Sequence, residues 1–143
     1  MVLKVDKIYG WEGSVVDGFP IFEARVSAGF PSPADDYQQG QLDLNEHLVK
    51  NPAATFFVRV TGDSMNGAGI HDGDLLVADR SLEPNDKDIV IAAIEGELTV
   101  KRIRIRGRRV TLIPEKRNYE EREITSESDF EVWAVVTNVI HKL

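Results

Sequence analysis

Hydrophobic positions after residue 54 alternate with polar ones or form short apolar runs, and turn residues separate these runs. β-branched and aromatic residues dominate the runs, which is typical of strands. The pattern therefore predicts strands at residues 55–60, 75–78, 88–94, 98–105, 110–114 and 130–140.

One segment has a helical pattern instead. Asp43 can cap a helix in which Glu46 lies three residues further on, and Asn51–Pro52 ends it. We therefore predict a single short helix over residues 43–51. Many short strands with one helix indicate a mainly-β domain of the sandwich or barrel type.

Residues 1–27 show no long period of either kind, and glycines and scattered aromatic residues interrupt them. An ordinary flexible N-terminus is the simpler interpretation. The alternative is an extended arm that lacks its own core and docks through its aromatic side chains. The small residues Ala28 and Gly29 follow as a candidate scissile bond, and Pro31 and Pro33 keep the next backbone extended.

Charge and residue types exclude several kinds of site. Seventeen Lys and Arg stand against 24 Asp and Glu, and the net charge of −7 disfavours a general nucleic-acid binder. No cysteine is present, so thiolate nucleophiles and cysteine-ligated metals are excluded. His47, His71 and His141 lack the spacing of a helical metal site, so we expect no metal. No apolar run reaches membrane-spanning length and no signal-peptide core is present, so we expect a cytoplasmic protein.

Ser64 directly follows a predicted strand, within the sequence Gly62-Asp63-Ser64-Met65. A serine held outward past a strand end can have backbone N–H groups near its oxygen, as an oxyanion hole requires. A plain turn is the simpler interpretation, because Gly and Ser are common turn residues. A Ser-His-Asp triad also stays open, since triads are assembled in space.

Lys101 lies within an apolar strand, where side chains alternate between the two faces. Thr99, Lys101 and Ile103 should share one face, and Arg102 and Arg104 the other. Burial on the first face would lower the pKa of the lysine and make a neutral amine available as a base. The alternative is an edge-strand lysine that keeps other strand edges away.

Two further features have simple structural interpretations. Six basic residues within 101–109 could bind DNA or an acidic partner. We favour a solvated strand face and loop, because the rest of the chain is acidic. His71 and Asp72 lie near Ser64 in sequence, but the Asp-Gly-Asp run is typical of a turn.

Four segments occur together in the order and spacing of a known family. They are Ala28-Gly29-Phe30-Pro31-Ser32-Pro33, Gly62-Asp63-Ser64-Met65, His71-Asp72-Gly73-Asp74-Leu75-Leu76 and Leu98-Thr99-Val100-Lys101-Arg102. Over about residues 26–140 the chain closely resembles the UmuD type of the LexA-type self-cleaving serine peptidases. The resemblance implies a LexA/signal-peptidase-like fold, with an extended N-terminal arm over residues 1–28 and a catalytic and dimerisation domain over 29–143.

The resemblance also implies a role for individual residues. Ser64 would be the nucleophile that cuts the Ala28–Gly29 bond, and unprotonated Lys101 would be its base. The backbone N–H groups of Ser64 and Met65 would form the oxyanion hole. Thr99 lies on the same predicted face as Lys101 and is a candidate for orienting its amine.

The biological setting follows from the same resemblance. A RecA–single-stranded DNA filament would favour the cleavable state during the SOS response. The truncated homodimer would join a UmuC-type Y-family polymerase for error-prone translesion synthesis. No cofactor, no membrane and no sequence-specific DNA contact is implied. Ala28 stands where the UmuD type has cysteine, although LexA-type repressors also use Ala-Gly, and residues 1–23 match poorly.

Three alternatives belong to other classes. A non-catalytic polymerase-binding or checkpoint module would keep the fold with an idle Ser-Lys pair. A truncated relative of the LexA repressor is disfavoured, because the 28 residues before the expected cut are too few for a winged helix-turn-helix. A signal peptidase is disfavoured because it needs a membrane anchor.

Overall fold

The computed structural model describes residues 3–10, 19–22 and 38–143. That part of the chain contains one α-helix, α1 (Leu44–Leu48), and two 3-10 turns, Pro52–Ala54 and Asn66–Ala68. Its strands are β1 (Lys4–Gly10), β2 (Phe19–Phe22), β3 (Gln38–Leu42), β4 (Thr55–Thr61), β5 (Leu75–Asp79), β6 (Ile89–Ile94), β7 (Glu97–Arg106), β8 (Arg109–Ile113), β9 (Arg122–Ile124) and β10 (Phe130–Ile140). β1 and the chain from residue 51 onward belong to one compact unit, and β2, β3 and α1 belong to a second.

The second unit contains the predicted helix. The Asp43 carboxylate accepts hydrogen bonds from the backbone N–H of Asn45, at 2.9 Å, and of Glu46, at 3.4 Å, so the predicted cap is confirmed. The helix is shorter than predicted, because the backbone is already extended at Val49. β2 and β3 pair antiparallel next to it.

The first unit is a closed antiparallel barrel. Its strand order is β1-β4-β5-β10-β6-β7, and β1 also pairs with β7, which closes the ring. β8 and β9 continue the sheet outward from β7. The prediction of a mainly-β fold with one short helix is confirmed, and closure selects the barrel over the sandwich.

Two buried apolar clusters stabilise this unit, because successive strand residues face opposite sides of the sheet. The larger one joins the start of the chain to the barrel strands and to the turn after β4. Its buried members are Leu3, Phe56, Val58, Val60, Met65, Ile70, Leu76, Ala78, Ile91, Val100 and Ala134. The smaller one lies on the opposite face of β6, β7, β8 and β10 and consists of Val90, Ala92, Ile94, Ile103, Leu112 and Val135.

The interpretation of residues 1–27 as an ordinary flexible N-terminus was wrong over Lys4–Gly10, which form β1. β1 pairs with β4 along its length, and Leu3 is fully buried in the larger cluster. A bulge between Val5 and Lys7 shifts the register. The shift breaks the two-residue period, which is why alternation does not predict this strand.

The basic run on β7 and β8 faces glutamates on and next to β9 of the same chain. Arg104 pairs with Glu121 at 3.0 Å, and Arg109 pairs with Glu123 at 3.2 Å. Such exposed pairs contribute little stability, but they neutralise part of the positive charge. This arrangement supports the solvated-face interpretation over a DNA-binding surface.

Candidate active site

Ser64 lies in the turn that follows β4. Gly62 begins this turn with a φ of 105°, in the left-handed region that favours glycine. Its N–H donates to the Asp72 carboxylate at 2.8 Å, and the Ser64 carbonyl accepts from the Glu115 N–H at 2.8 Å. The serine is completely buried, so the fold holds its position from both sides.

The residues beside Ser64 are also fixed. The Asp63 carboxylate pairs with the Lys116 ammonium and accepts a hydrogen bond from the Tyr119 hydroxyl at 2.7 Å. The bond to Lys116 is the main reason that the pKa of Asp63 lies far below its usual value. Two residues after Met65, a side chain at Gly67 would meet the Glu115 carbonyl oxygen 2.4 Å away, so this close approach requires glycine.

Lys101 reaches Ser64 from β7. Its Nζ lies 3.2 Å from Ser64 Oγ, 3.2 Å from Thr99 Oγ1 and 3.2 Å from the Val100 carbonyl oxygen. The predicted sharing of one strand face by Thr99 and Lys101 is confirmed by this contact. The amine therefore lies within reach of the serine proton and between oxygen atoms that fix its direction.

Burial changes the protonation of this lysine. The partly buried amine has a pKa lowered from 10.5 to about 8, and desolvation is the cause. Removing water from the ammonium disfavours the charged form. A sizeable fraction of the amine is therefore neutral at mildly alkaline pH, as a general base requires.

His71 and His141 contact Asp74, whereas Lys101 contacts Ser64. His141 Nδ1 lies 2.5 Å from one oxygen of the Asp74 carboxylate, and His71 Nδ1 lies 3.8 Å from the other. Ser64 Oγ, in contrast, is contacted by Lys101 Nζ. The geometry therefore favours a Ser-Lys pair over the Ser-His-Asp triad that the sequence left open.

Leu3 is a site residue that the sequence did not predict. Its backbone N–H donates to Ser64 Oγ at 2.8 Å, and its carbonyl accepts from the Thr99 hydroxyl at 3.3 Å. Leu3 is 61 residues from Ser64 and 96 residues from Thr99 along the sequence. No local pattern carries such a contact, which depends on the closure of the barrel by β1.

The remaining predicted site residues stay predictions. Ala28 and Gly29 lie outside the described residues. The Met65 carbonyl accepts from the N–H of Ala68 at 3.0 Å and of Ile70 at 3.3 Å, so the backbone at the expected oxyanion hole is fixed. The N–H groups of Ser64 and Met65 keep their predicted role as its donors.

Residues 20–137 match the family described as Peptidase S24-like. The match covers most of the chain and includes both Ser64 and Lys101. The chain belongs to this family. It is a class of self-cleaving serine peptidases, and the resemblance inferred from the four sequence segments is thereby confirmed.

Proteins similar to this chain include both short and long relatives. Protein ImpA of Salmonella typhimurium is 50% identical over 123 residues, which cover 86% of this chain and 83% of that protein. Protein MucA of Escherichia coli is 43% identical over 137 residues, covering 95% and 93%. The LexA repressor of Idiomarina loihiensis is 36% identical over 113 residues, covering 79% and 54%.

Among residues 3–10, 19–22 and 38–143, no helix is long and apolar enough to cross a membrane.

Proposed function

We propose that this chain is a single-use serine endopeptidase that cuts its own Ala28–Gly29 bond with Ser64 and Lys101. The observation that carries the proposal is the 3.2 Å approach of Lys101 Nζ to Ser64 Oγ. The lowered pKa of this lysine adds support, because the same amine can then accept a proton near pH 8.

The proposed reaction has two halves. Lys101 takes the Ser64 proton while Oγ attacks the carbonyl carbon of Ala28, and the oxyanion is stabilised by the N–H groups of Ser64 and Met65. The Ala28–Gly29 bond breaks, and the Gly29 amine leaves with the proton from Lys101. Lys101 then activates a water molecule, which hydrolyses the Ser64 ester and frees the Ala28 carboxylate.

The proposed setting is the bacterial SOS response. A RecA–single-stranded DNA filament in the cytoplasm would act as co-activator by binding the cleavable state better than the resting state. The product, residues 29–143, would act as a homodimer and accessory subunit of a UmuC-type Y-family polymerase. Membership of the same family as MucA and ImpA supports this setting.

The decisive experiment follows the mass of the purified chain. Incubation at pH 10, or at neutral pH with RecA filament, should convert the full-length protein into two pieces that separate after Ala28. Intact protein under both conditions would remove the peptidase proposal. Cleavage at another bond would keep the peptidase and remove Ala28–Gly29 as its substrate.

A non-catalytic binding module is the second candidate function, and one observation favours it. The Leu3 N–H already occupies a lone pair of Ser64 Oγ, as an idle site would permit. The mass measurement separates the two candidates, because only the peptidase yields the shorter chain.

We propose that Thr99 is a positioning residue for Lys101. Thr99→Val removes the hydroxyl that lies 3.2 Å from Nζ, and it should slow cleavage about fivefold, since one hydrogen bond contributes ~1 kcal/mol. Thr99→Ser keeps the hydroxyl and should restore the rate. The rate is measured from pH 6 to pH 10, and equal profiles for the wild type and the valine variant would contradict the role.

A further inference from the structure

β1 occupies the position in the sheet between β4 and β7, beside Ser64. It pairs antiparallel with β4, the strand that leads into Ser64, and its first residue, Lys4, lies opposite Thr99 on β7. Extended peptides commonly bind proteins by adding a strand to such an edge. Here a segment of the same chain has taken that position.

The preceding residue, Leu3, completes the occupation at the nucleophile. Its backbone N–H donates a hydrogen bond to Ser64 Oγ at 2.8 Å. Its side chain is fully buried in the same cluster as Val60 and Met65. A reacting carbonyl carbon must come within about 3–3.5 Å of the nucleophile. The Leu3 N–H already lies within that distance of Oγ, where it would compete with a substrate carbonyl for the approach to Ser64.

We propose that Leu3 and β1 form an internal inhibitory strand, which must leave the groove between β4 and β7 before the scissile segment can enter. This inference rests on the proposed self-cleavage. It also defines the class of peptide that the groove accepts: an extended strand with an aliphatic side chain at the position of Leu3. β1 and the scissile segment compete within one chain. The observed cleavage rate is therefore proportional to the fraction of molecules in which β1 has left the groove.

The test compares two neighbouring positions on the inhibitory strand. Leu3→Glu places a charge in the buried cluster, whereas Lys4→Glu changes an exposed side chain. Leu3→Glu should raise the rate of self-cleavage at pH 8 at least tenfold and should raise the labelling of Ser64 by a fluorophosphonate probe equally. Lys4→Glu should stay within about twofold of the wild type.

A peptide experiment guards against a trivial effect of unfolding. A synthetic peptide of residues 1–10 should restore inhibition when it is added to the Leu3→Glu protein, and the same peptide carrying Leu3→Glu should not. A folded Leu3→Glu protein that cleaves at the wild-type rate would overturn the inhibitory strand and leave the peptidase standing. Faster labelling without any cleavage would support the strand and overturn self-cleavage. No cleavage and no labelling in any variant would overturn both.

A second, independent cluster of possible metal ligands lies where β5 begins and β10 ends. Asp74 directly precedes β5, His141 directly follows β10, and the pairing of Leu75 with Ile140 brings the two together. His71 joins them from the turn before β5. The ligand atoms of these three residues all lie within 4.8 Å of one another. The spacing of these residues along the sequence does not predict a metal site, because only the fold brings the three side chains together.

We infer that His71, Asp74 and His141 bind one divalent cation of the zinc type. The Asp74 carboxylate is only 2% exposed, and one of its oxygens is oriented by the His71 backbone N–H at 2.7 Å. The two imidazole rings remain about half exposed, which leaves access for the ion. Two imidazoles and one carboxylate suit zinc, with water in the open fourth position.

The three histidines of the chain provide a matched set of variants. Zinc titrated into the full-length protein at pH 7 in a calorimeter should bind one ion per chain and raise the Tm. His71→Ala or His141→Ala should weaken binding at least tenfold, whereas His47→Ala, in the other unit, should bind like the wild type. Magnesium should not bind, because it prefers oxygen ligands. Absent zinc binding, or binding that survives the loss of both His71 and His141, would overturn the site.

Discussion

Ser64→Ala should abolish self-cleavage while the protein remains folded. The hydroxyl is the only proposed nucleophile, and its removal leaves Lys101 without an atom to activate. Loss of a nucleophile that acts as a unit with its base typically costs at least ~10⁴-fold in rate. Mass spectrometry over a long incubation at pH 10 should therefore find full-length Ser64→Ala protein under conditions that consume the wild type.

The matched control is Ser126→Ala, which removes an exposed serine hydroxyl in the turn before β10. This variant should cleave at the wild-type rate. Ser64→Ala should keep its thermal transition within a few degrees of the wild type, because the lost bond to the Leu3 N–H contributes ~1 kcal/mol. Cleavage that continues in Ser64→Ala would exclude this residue as the nucleophile.

Much of the barrel follows from local patterns, because strand alternation is a local property. The strands from residue 55 onward were predicted within a few residues of their observed bounds, except β9, whose three residues carry too short a pattern. The common face of Thr99 and Lys101 was predicted for the same reason. The resemblance, and not the pattern, singled out Ser64 as a nucleophile over a plain turn.

The features that the sequence did not predict depend on closure of the ring. Leu3 reaches Ser64 only because β1 pairs with both β4 and β7, and a bulge hides that strand from periodicity. The approach of His141 to Asp74 spans 67 residues and depends on the register of β10 with β5. Loop closure over such distances leaves no local trace in composition or spacing.

Closure also gives the candidate site its physical character. Ser64 is fully buried and Lys101 is partly desolvated, which suits the proposed reaction with a tethered peptide more than capture of free substrates. A tethered segment has a high effective concentration and needs little affinity for the groove. Under the proposed inhibition by β1, control of the reaction comes from access to Ser64, which the contact with Leu3 limits.

Self-cleavage should depend on the protonation of Lys101. The amine has a pKa of about 8 in the folded chain, and only its neutral form can accept the Ser64 proton. The rate should therefore rise about tenfold per pH unit below pH 8 and level off above it. Lys101→Arg keeps the positive charge at every pH and should be inactive throughout. A flat profile from pH 6 to pH 10 in the wild type would contradict this role.

The same shift predicts that the buried Lys101 ammonium opposes folding, an effect that Lys101→Met can isolate. The folded pKa lies below the unfolded value of 10.5, so between about pH 8 and 10.5 the unfolded chain binds more protons and stability rises with pH. This contribution is lost as the pH falls through 8. Lys101→Met should therefore be inactive yet more stable than the wild type at pH 7 in urea unfolding, and the difference should shrink toward pH 10.5. An equal difference at both pH values would show that burial of this amine does not oppose folding.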